Sequence, residues 1–411
     1  MPQSATSGPE TDPAGVGDDD PGRRRSGRPG SVRRRLRDRR GARIALAVAV
    51  VVVGWFGWSM GHALTVPGGG TVSERVAEWA RDHYLGPLVT LGEWIAYEPP
   101  KVGGKPSFAL KAPDSGQVPL DSPAEAKASV GRQVAPIFPT RLASPAGKPL
   151  PGEGVWRVLG SVNGIPAIFG TYLRPDSVHT SYAEGIVSMD QRLVRFQLHP
   201  GAEDPGPGNW KTPATIPPGS RTGLMATFNG GFKIASAGGG FYLNGASKGT
   251  LQRGAASMVY YRDGRVQIGT WGTDVRMTPQ VKGVRQNLRL IVNHGRVPAS
   301  VDVDVQTNWG ATLGGGEFVW RSGAGITSDG RIIFVYGPAL NVRDLADLLQ
   351  RAGAVRAMQL DINPDWMSFM YYKSARHPAD PTPVNLLPDQ IQPPQRFYSL
   401  SSRDFTAVFA R

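Results

Sequence analysis

The sequence predicts an α+β (mixed α/β) domain, a mixed sheet with covering helices, preceded by a disordered tail, one transmembrane helix and a stalk. Three observations predict it. Residues 1–43 are poor in apolar side chains and rich in Arg, Gly, Pro and Asp. Ile44 to Val66 then runs for 23 residues without an Asp, Glu, Lys or Arg. From Gly152 onward, short β-branched and aromatic runs alternate with turn signals, and one helix pattern stands out late in the chain.

Composition sets the bounds. The chain has 411 residues, room for two or three domains, and no cysteine, which excludes a disulfide framework and a thiolate metal site. Lys and Arg number 46 against 33 Asp and Glu, a formal net charge of +13 that suits acidic partners.

Residues 1–43 hold 11 Arg against 6 acids and cannot bury enough surface to offset ordering entropy, so they read as a disordered cytoplasmic tail. The arginines, clustered at 23–25 and 33–43, suit anionic lipid at a membrane flank, and no nucleic acid is expected. Residues 44–66 have the length of a spanning helix, with Trp55 and Trp58 towards its far end. The long basic flank and long apolar core favour a signal anchor over a cleaved leader. The positive-inside rule then puts the N-terminus in the cytoplasm and the rest outside the cell membrane. Residues 67–98 carry amphipathic helical patterning interrupted at Gly86-Pro87. Residues 99–150, rich in Pro, Gly and Lys, read as a linker, leaving 151–411 as the folded domain.

Within that domain strands are expected at 154–162, 165–173, 185–189, 193–198, 256–261, 265–271, 288–292 and 296–298. The clearest unit runs from Arg321 to Trp366. Arg331 to Tyr336 is an apolar strand pattern entered through Asp329-Gly330. Asn341 is a good N-cap, followed by Val342, Leu345, Leu348 and Leu349 at helical spacing and by Gly353 at the C-cap position. Val355 to Leu360 is the next strand, parallel to the first across a helical crossover. Asp361 follows it directly, at the strand end where ligand-facing groups sit in α/β sheets. The competing reading makes Asn363-Pro364 a helix start, with a weak helix over 363–372.

Three carboxylates are candidate acid–base or nucleophilic catalysts: Asp361, Asp365 and Asp274. Asp361, Asp365 and Asn363 alternatively present oxygens to a divalent cation such as Ca²⁺; otherwise no cofactor is called for. The histidines show no zinc spacing, and no Gly-x-Ser-x-Gly elbow occurs. Gly238-Gly239-Gly240 and Gly314-Gly315-Gly316 lack the Lys of a P-loop and read as lids around a cleft rather than phosphate cradles. Arg321 offers a planar fork to a phosphate, or else forms a surface ion pair.

Several stretches together resemble the phosphodiester glycosidase domain family. They are Phe228-Asn229-Gly230-Gly231-Phe232, Leu288 to Arg296, the Arg-Ser-Gly-Ala-Gly-Ile of 321–326, Asp329-Gly330, Gly353-Ala354 and Leu360-Asp361. The resemblance covers about residues 151–411. It implies a hydrolase that cleaves a sugar from a sugar-1-phosphodiester, here in envelope glycans, with a phosphorylated or acidic glycan as partner. It makes Asp361 catalytic and Asn229, Gly230, Gly231 and Asn363 substrate contacts, with Lys233 and Arg321 facing a phosphate. The chain departs from the family pattern after Leu-Asp, where glycines and a serine are replaced by Ile362-Asn363-Pro364-Asp365-Trp366. That departure supports the alternative of a non-catalytic glycan- or phosphate-binding relative. A third reading places function in the Arg-rich tail, recruiting an acidic cytoplasmic partner.

Overall fold

A computed structural model describes residues 31–65, 72–85, 97–113, 134–312, 315–373 and 379–411. The first 30 residues of the tail, the Gly86-Pro87 break, residues 114–133 and Gly314 lie outside the described residues. The chain divides into two compact units, Met1–Ser59 and Met60–Arg411.

Helix α1 spans Ser31–Thr65, so it starts inside the stretch read as a disordered tail rather than at Ile44. Arg, Leu and Ala are good helix formers, and they carry the helix back through the basic flank. Its Arg40–Thr65 portion is long and apolar enough to cross a membrane, a property that signal sequences share. Its valines, Ile44, Trp55 and Trp58 are exposed. Helix α2 (Val72–Asp82) is the described part of the amphipathic segment. It buries Trp79 and Ala80, and the His83 ring stacks on Trp79 at 4.6 Å.

The strands are, in chain order, β1 (Arg157–Val162), β2 (Ile165–Leu173), β3 (Glu184–Met189), β4 (Val194–His199), β5 (Leu224–Asn229), β6 (Phe241–Leu243), β7 (Ala246–Lys248), β8 (Ala256–Tyr261), β9 (Val266–Thr270), β10 (Val281–Gln286), β11 (Leu290–Asn293), β12 (Val319–Thr327), β13 (Ile332–Leu340), β14 (Ala354–Gln359), β15 (Phe369–Lys373), β16 (Thr382–Asn385) and β17 (Phe405–Ala410). Two helices lie among them, α3 (Val305–Trp309) and α4 (Val342–Arg351). They form a seven-stranded sheet ordered β1-β2-β3-β13-β12-β14-β11 and two five-stranded sheets, β7-β6-β10-β8-β9 and β16-β15-β5-β17-β4. The α+β class holds, and every ladder between named strands is antiparallel. β13 and β14 do run parallel across the α4 crossover, but β12 lies between them, antiparallel to both.

The crossover follows from local signals. The Asn341 side chain accepts from the Asp344 N–H at 2.7 Å, a cap that contributes about 1 kcal/mol. Gly353 ends the helix at φ +95°, a conformation that costs glycine little. Val342, Leu345, Ala346, Leu348 and Leu349 pack on Ile333, Val335 and Leu340 of β13. The alternate residues Ile332, Phe334 and Tyr336 face the other way and join the core shared with β5 and β15. There Phe334 meets Phe228 at 4.8 Å and Phe369 at 5.7 Å. Strand β13 is therefore apolar on both faces, which explains its unbroken hydrophobic run.

Three expectations are corrected. The weak helix over 363–372 is a turn followed by β15, whose aromatic residues pair with β5 on one side and β16 on the other. Residues 296–298 make only an isolated bridge, Asn293 to Arg296. The described parts of 99–150 dock on the domain instead of forming a free linker. Leu110 and Ala112 enter the core, Phe108 meets Tyr172 at 5.3 Å, and Phe138 meets Phe169 at 5.7 Å. Buried Glu153 and Arg174 pair at 3.0 Å and tie down Ser144 and Lys148. Few apolar residues are needed to dock an extended segment, so composition alone did not reveal it.

Candidate active site

The site is built where the carboxyl ends of β5 and β14 meet. β5 ends on Asn229, which sits opposite Phe405 of β17; β14 runs on through Leu360 to Asp361. The side-chain hydroxyl of Ser322, on β12, joins the two. It accepts from Asn229 Nδ2 at 2.9 Å and from the Asp361 N–H at 3.1 Å. Asn229 is further held by the Ser368 N–H, which donates to its Oδ1 at 3.2 Å.

Gly230 and Gly231 do not adopt positive φ. They are required for close approach. A Cβ on Gly230 would lie 2.1 Å from Asp404 Oδ2, and one on Gly231 would lie 3.0 Å from Asn287 Oδ1. The loop therefore presses against a buried polar layer. Arg285 donates to Asp404 from Nε (2.9 Å) and Nη2 (3.1 Å), and from Nη1 to the Gln286 carbonyl (2.8 Å). Its Nη2 also reaches the Phe232 carbonyl. Asn287 accepts from the Phe232 N–H and donates to the Gln359 and Leu360 carbonyls, fixing the approach to Asp361.

Asp361 is 5% exposed. Its Oδ1 accepts from the Ile362 N–H (2.7 Å) and the Asn363 N–H (3.1 Å), while Oδ2 faces Arg403 Nη2 at 3.8 Å. Burial pushes its carboxyl up to about 6; Arg403 and the two amides pull the other way but do not cancel it. Arg403 also lies 5.2 Å over the Trp366 ring, and Arg396 lies 5.0 Å from the same ring.

The structure brings together Asp361, Asn229, Gly230 and Gly231. Asn363 and Asp365 are in the adjoining turn, where Asn363 Oδ1 accepts from the Asp365 N–H at 3.0 Å. Lys233 is half-buried further along the glycine loop. Asp274 lies elsewhere. It pairs with Arg356 at 2.9 Å, near the amino end of β14, and its Oδ2 accepts from the Thr270 N–H. Arg321 is also corrected. It is fully buried, and its fork is occupied by the Leu340 carbonyl (2.8 Å) and Gln359 Oε1 (3.0 Å). Alternation along β12 sends Arg321 to one face and Ser322 to the other, so the neighbour joins the site. The Ca²⁺ reading loses its ligands in the same way, since Asp361 Oδ1 and Asn363 Oδ1 are turned onto backbone amides. Among the described residues no group of three acidic or histidine side chains is arranged for a metal.

Sequence reasoning missed Arg285, Asn287, Ser322, Ser368, Arg403 and Asp404. A usable signal existed for one of them: Asp404 immediately precedes the apolar run of β17, and a charge buried in a sheet demands an opposite partner.

No curated protein matches the chain. Among solved structures it is similar to the zebrafish N-acetylglucosamine-1-phosphodiester alpha-N-acetylglucosaminidase catalytic domain auto-inhibited by its propeptide. The identity is 14% and the TM-score 0.38, over 68% of this chain and 96% of that one. A hypothetical protein from Synechocystis matches at 12% identity and TM-score 0.33, over 62% of this chain and 64% of that one. The family model for phosphodiester glycosidase matches residues 222–361, a narrower span than 151–411. That span contains the Asn229 loop, Arg285, Asn287 and Ser322, and it ends on Asp361: residues 222–361 are similar to the phosphodiester glycosidase family.

Proposed function

We propose that the protein is a membrane-anchored, extracytoplasmic hydrolase that releases a sugar from a sugar-1-phosphodiester in envelope glycans. The observation that carries this reading is the Ser322 bridge, which holds the Asn229 loop against a buried Asp361 whose carboxyl is pushed up to about 6, with Arg403 beside it. In the reaction the bond between the anomeric carbon and the phosphate oxygen breaks and water adds to that carbon. The products are the free sugar and a phosphomonoester, with one proton released. A departing phosphate is stable as an anion, so the step depends less on a general acid than ordinary glycoside cleavage does. Asp361 acts as base or nucleophile at the anomeric carbon, and Arg403 faces the phosphate charge. Asn229 and the 230–232 backbone orient the sugar.

For the anchor, support comes from α1: its Arg40–Thr65 portion is long and apolar enough to span, and none of its apolar window is buried, behind an arginine-rich flank. Protease added to intact cells should remove a tag at the C-terminus and spare one at the N-terminus; the reverse pattern would exclude the topology.

The activity is tested by incubating full-length protein in detergent with a set of sugar-1-phosphodiesters and following sugar release. A non-catalytic glycan-binding relative is favoured by one observation, the lid-like Trp366, 3% exposed between two arginines beside a nearly closed Asp361. Binding of a phosphorylated glycan without release by wild type and by Trp366→Ala would select that reading.

A further inference from the structure

A second cleft lies beside the site and is not used by it. It has a volume of about 720 Å³ and is lined by the glycine run at Gly238 and Gly239, by Gln252, Arg253 and Arg289, and by Asn308. Its walls are chain neighbours of site residues. Leu288 and Arg289 directly follow Asn287; Ile234 lies just beyond Phe232; Asn308 precedes Trp309, whose carbonyl accepts from Gln359 Nε2 at 2.7 Å.

Charge in this cleft has one sign. Both arginines are exposed, and among the described residues the lining holds no aspartate or glutamate. By comparison, Arg192, Arg265, Arg331 and Arg343 elsewhere on the domain each pair with a nearby aspartate. The glycine wall adds open backbone. Gly238 adopts φ +62° with nothing within 4 Å of where a Cβ would lie, while Gly239 is held close to Gln286. Two guanidinium forks on a concave surface without a competing carboxylate are a receptor for oxyanions, which they bind through paired N–H groups.

We infer that the Arg253–Arg289 cleft is a subsite for a second oxyanion on the substrate, so that the chain takes a polyanionic glycan rather than an isolated sugar-1-phosphodiester. This rests on the proposed reading for its choice of substrate, while the binding itself does not require Asp361 to act. The anion arrives as a phosphate or as a uronic carboxylate.

Calorimetric titration of the full-length protein in detergent with inorganic tripolyphosphate, and separately with trigalacturonate, tests it. Arg253→Gln/Arg289→Gln should weaken binding of whichever probe binds by at least tenfold, and roughly 0.5 M salt should weaken wild type similarly. The control Arg262→Gln/Arg265→Gln removes two exposed arginines elsewhere and should bind as wild type does. Asp361→Asn should also bind as wild type does, which separates this site from the fate of the catalytic reading. Preference for one probe identifies the source of the anion. The inference is overturned if neither probe binds, if the Arg253/Arg289 variant binds like wild type, or if the control pair weakens binding equally.

Discussion

The two ends of β14 hold two carboxylates that look equivalent in the sequence. Asp274, near the amino end, forms a direct 2.9 Å ion pair with Arg356 and accepts backbone hydrogen bonds, and these outweigh its partial burial to hold its carboxyl below the usual range. Asp361, beyond the carboxyl end, is buried with its cation 3.8 Å away, and its carboxyl rises to about 6. Full pairing makes a structural carboxylate that never changes charge near neutrality. Burial with incomplete pairing makes one poised to exchange a proton, and such groups concentrate at reactive sites.

The largest expected effect removes the support of the Asp361 end. Arg285→Met leaves Asp404 buried without its cation and should destabilise the domain by roughly 3–5 kcal/mol, read as loss of cooperative melting at 37 °C. Thermal melts of the full-length protein in detergent provide that readout.

Next comes pH. An unfolded aspartate titrates near about 4. Between that value and 6 the folded state holds more protons at Asp361, so its contribution to stability is fully present below about pH 4 and is lost as pH rises through 6. Asp361→Asn should therefore gain on the order of 1–3 kcal/mol relative to wild type between pH 4 and 7. Asp274 has the opposite sign: its contribution is present above the unfolded value and lost as pH falls through the lowered folded one. Melting both Asn variants from about pH 2 to 7, and finding slopes of the same sign relative to wild type, would break the contrast.

Arg321→Lys should lower stability by about 1–2 kcal/mol, because it deprives the Leu340 carbonyl and Gln359 of the fork, and it should leave KM unchanged. A raised KM with unchanged melting would return Arg321 to the site. Smallest is Asp274→Asn, a partly exposed pair whose loss should cost about 1 kcal/mol or less and leave turnover within twofold.

Legibility followed the range of the forces. The crossover was readable because its signals are local: the Asn341 cap, the leucine spacing and Gly353 all act within a turn or two. Asp361 was readable because it follows a strand that those signals define. The polar layer was not, since Arg285 and Asp404 are 119 positions apart and no local pattern joins them. Arg321 misled for a different reason. A motif names consecutive residues, whereas a strand divides them between opposite faces, and the identity of the buried face depends on β13 and β14. Similarly, Pro364 suggested a helix start, but pairing of β15 with β5 outweighed that local preference.

The most direct measurement is the pH dependence of turnover for wild type and Asp361→Asn on a cleavable sugar-1-phosphodiester. The account predicts that wild-type kcat rises with an apparent pKa near 6, and that Asp361→Asn lowers kcat by about 10²-fold or more while melting at or above the wild-type temperature at pH 7. An active wild type whose Asp361→Asn variant keeps its rate and its pH profile would contradict it.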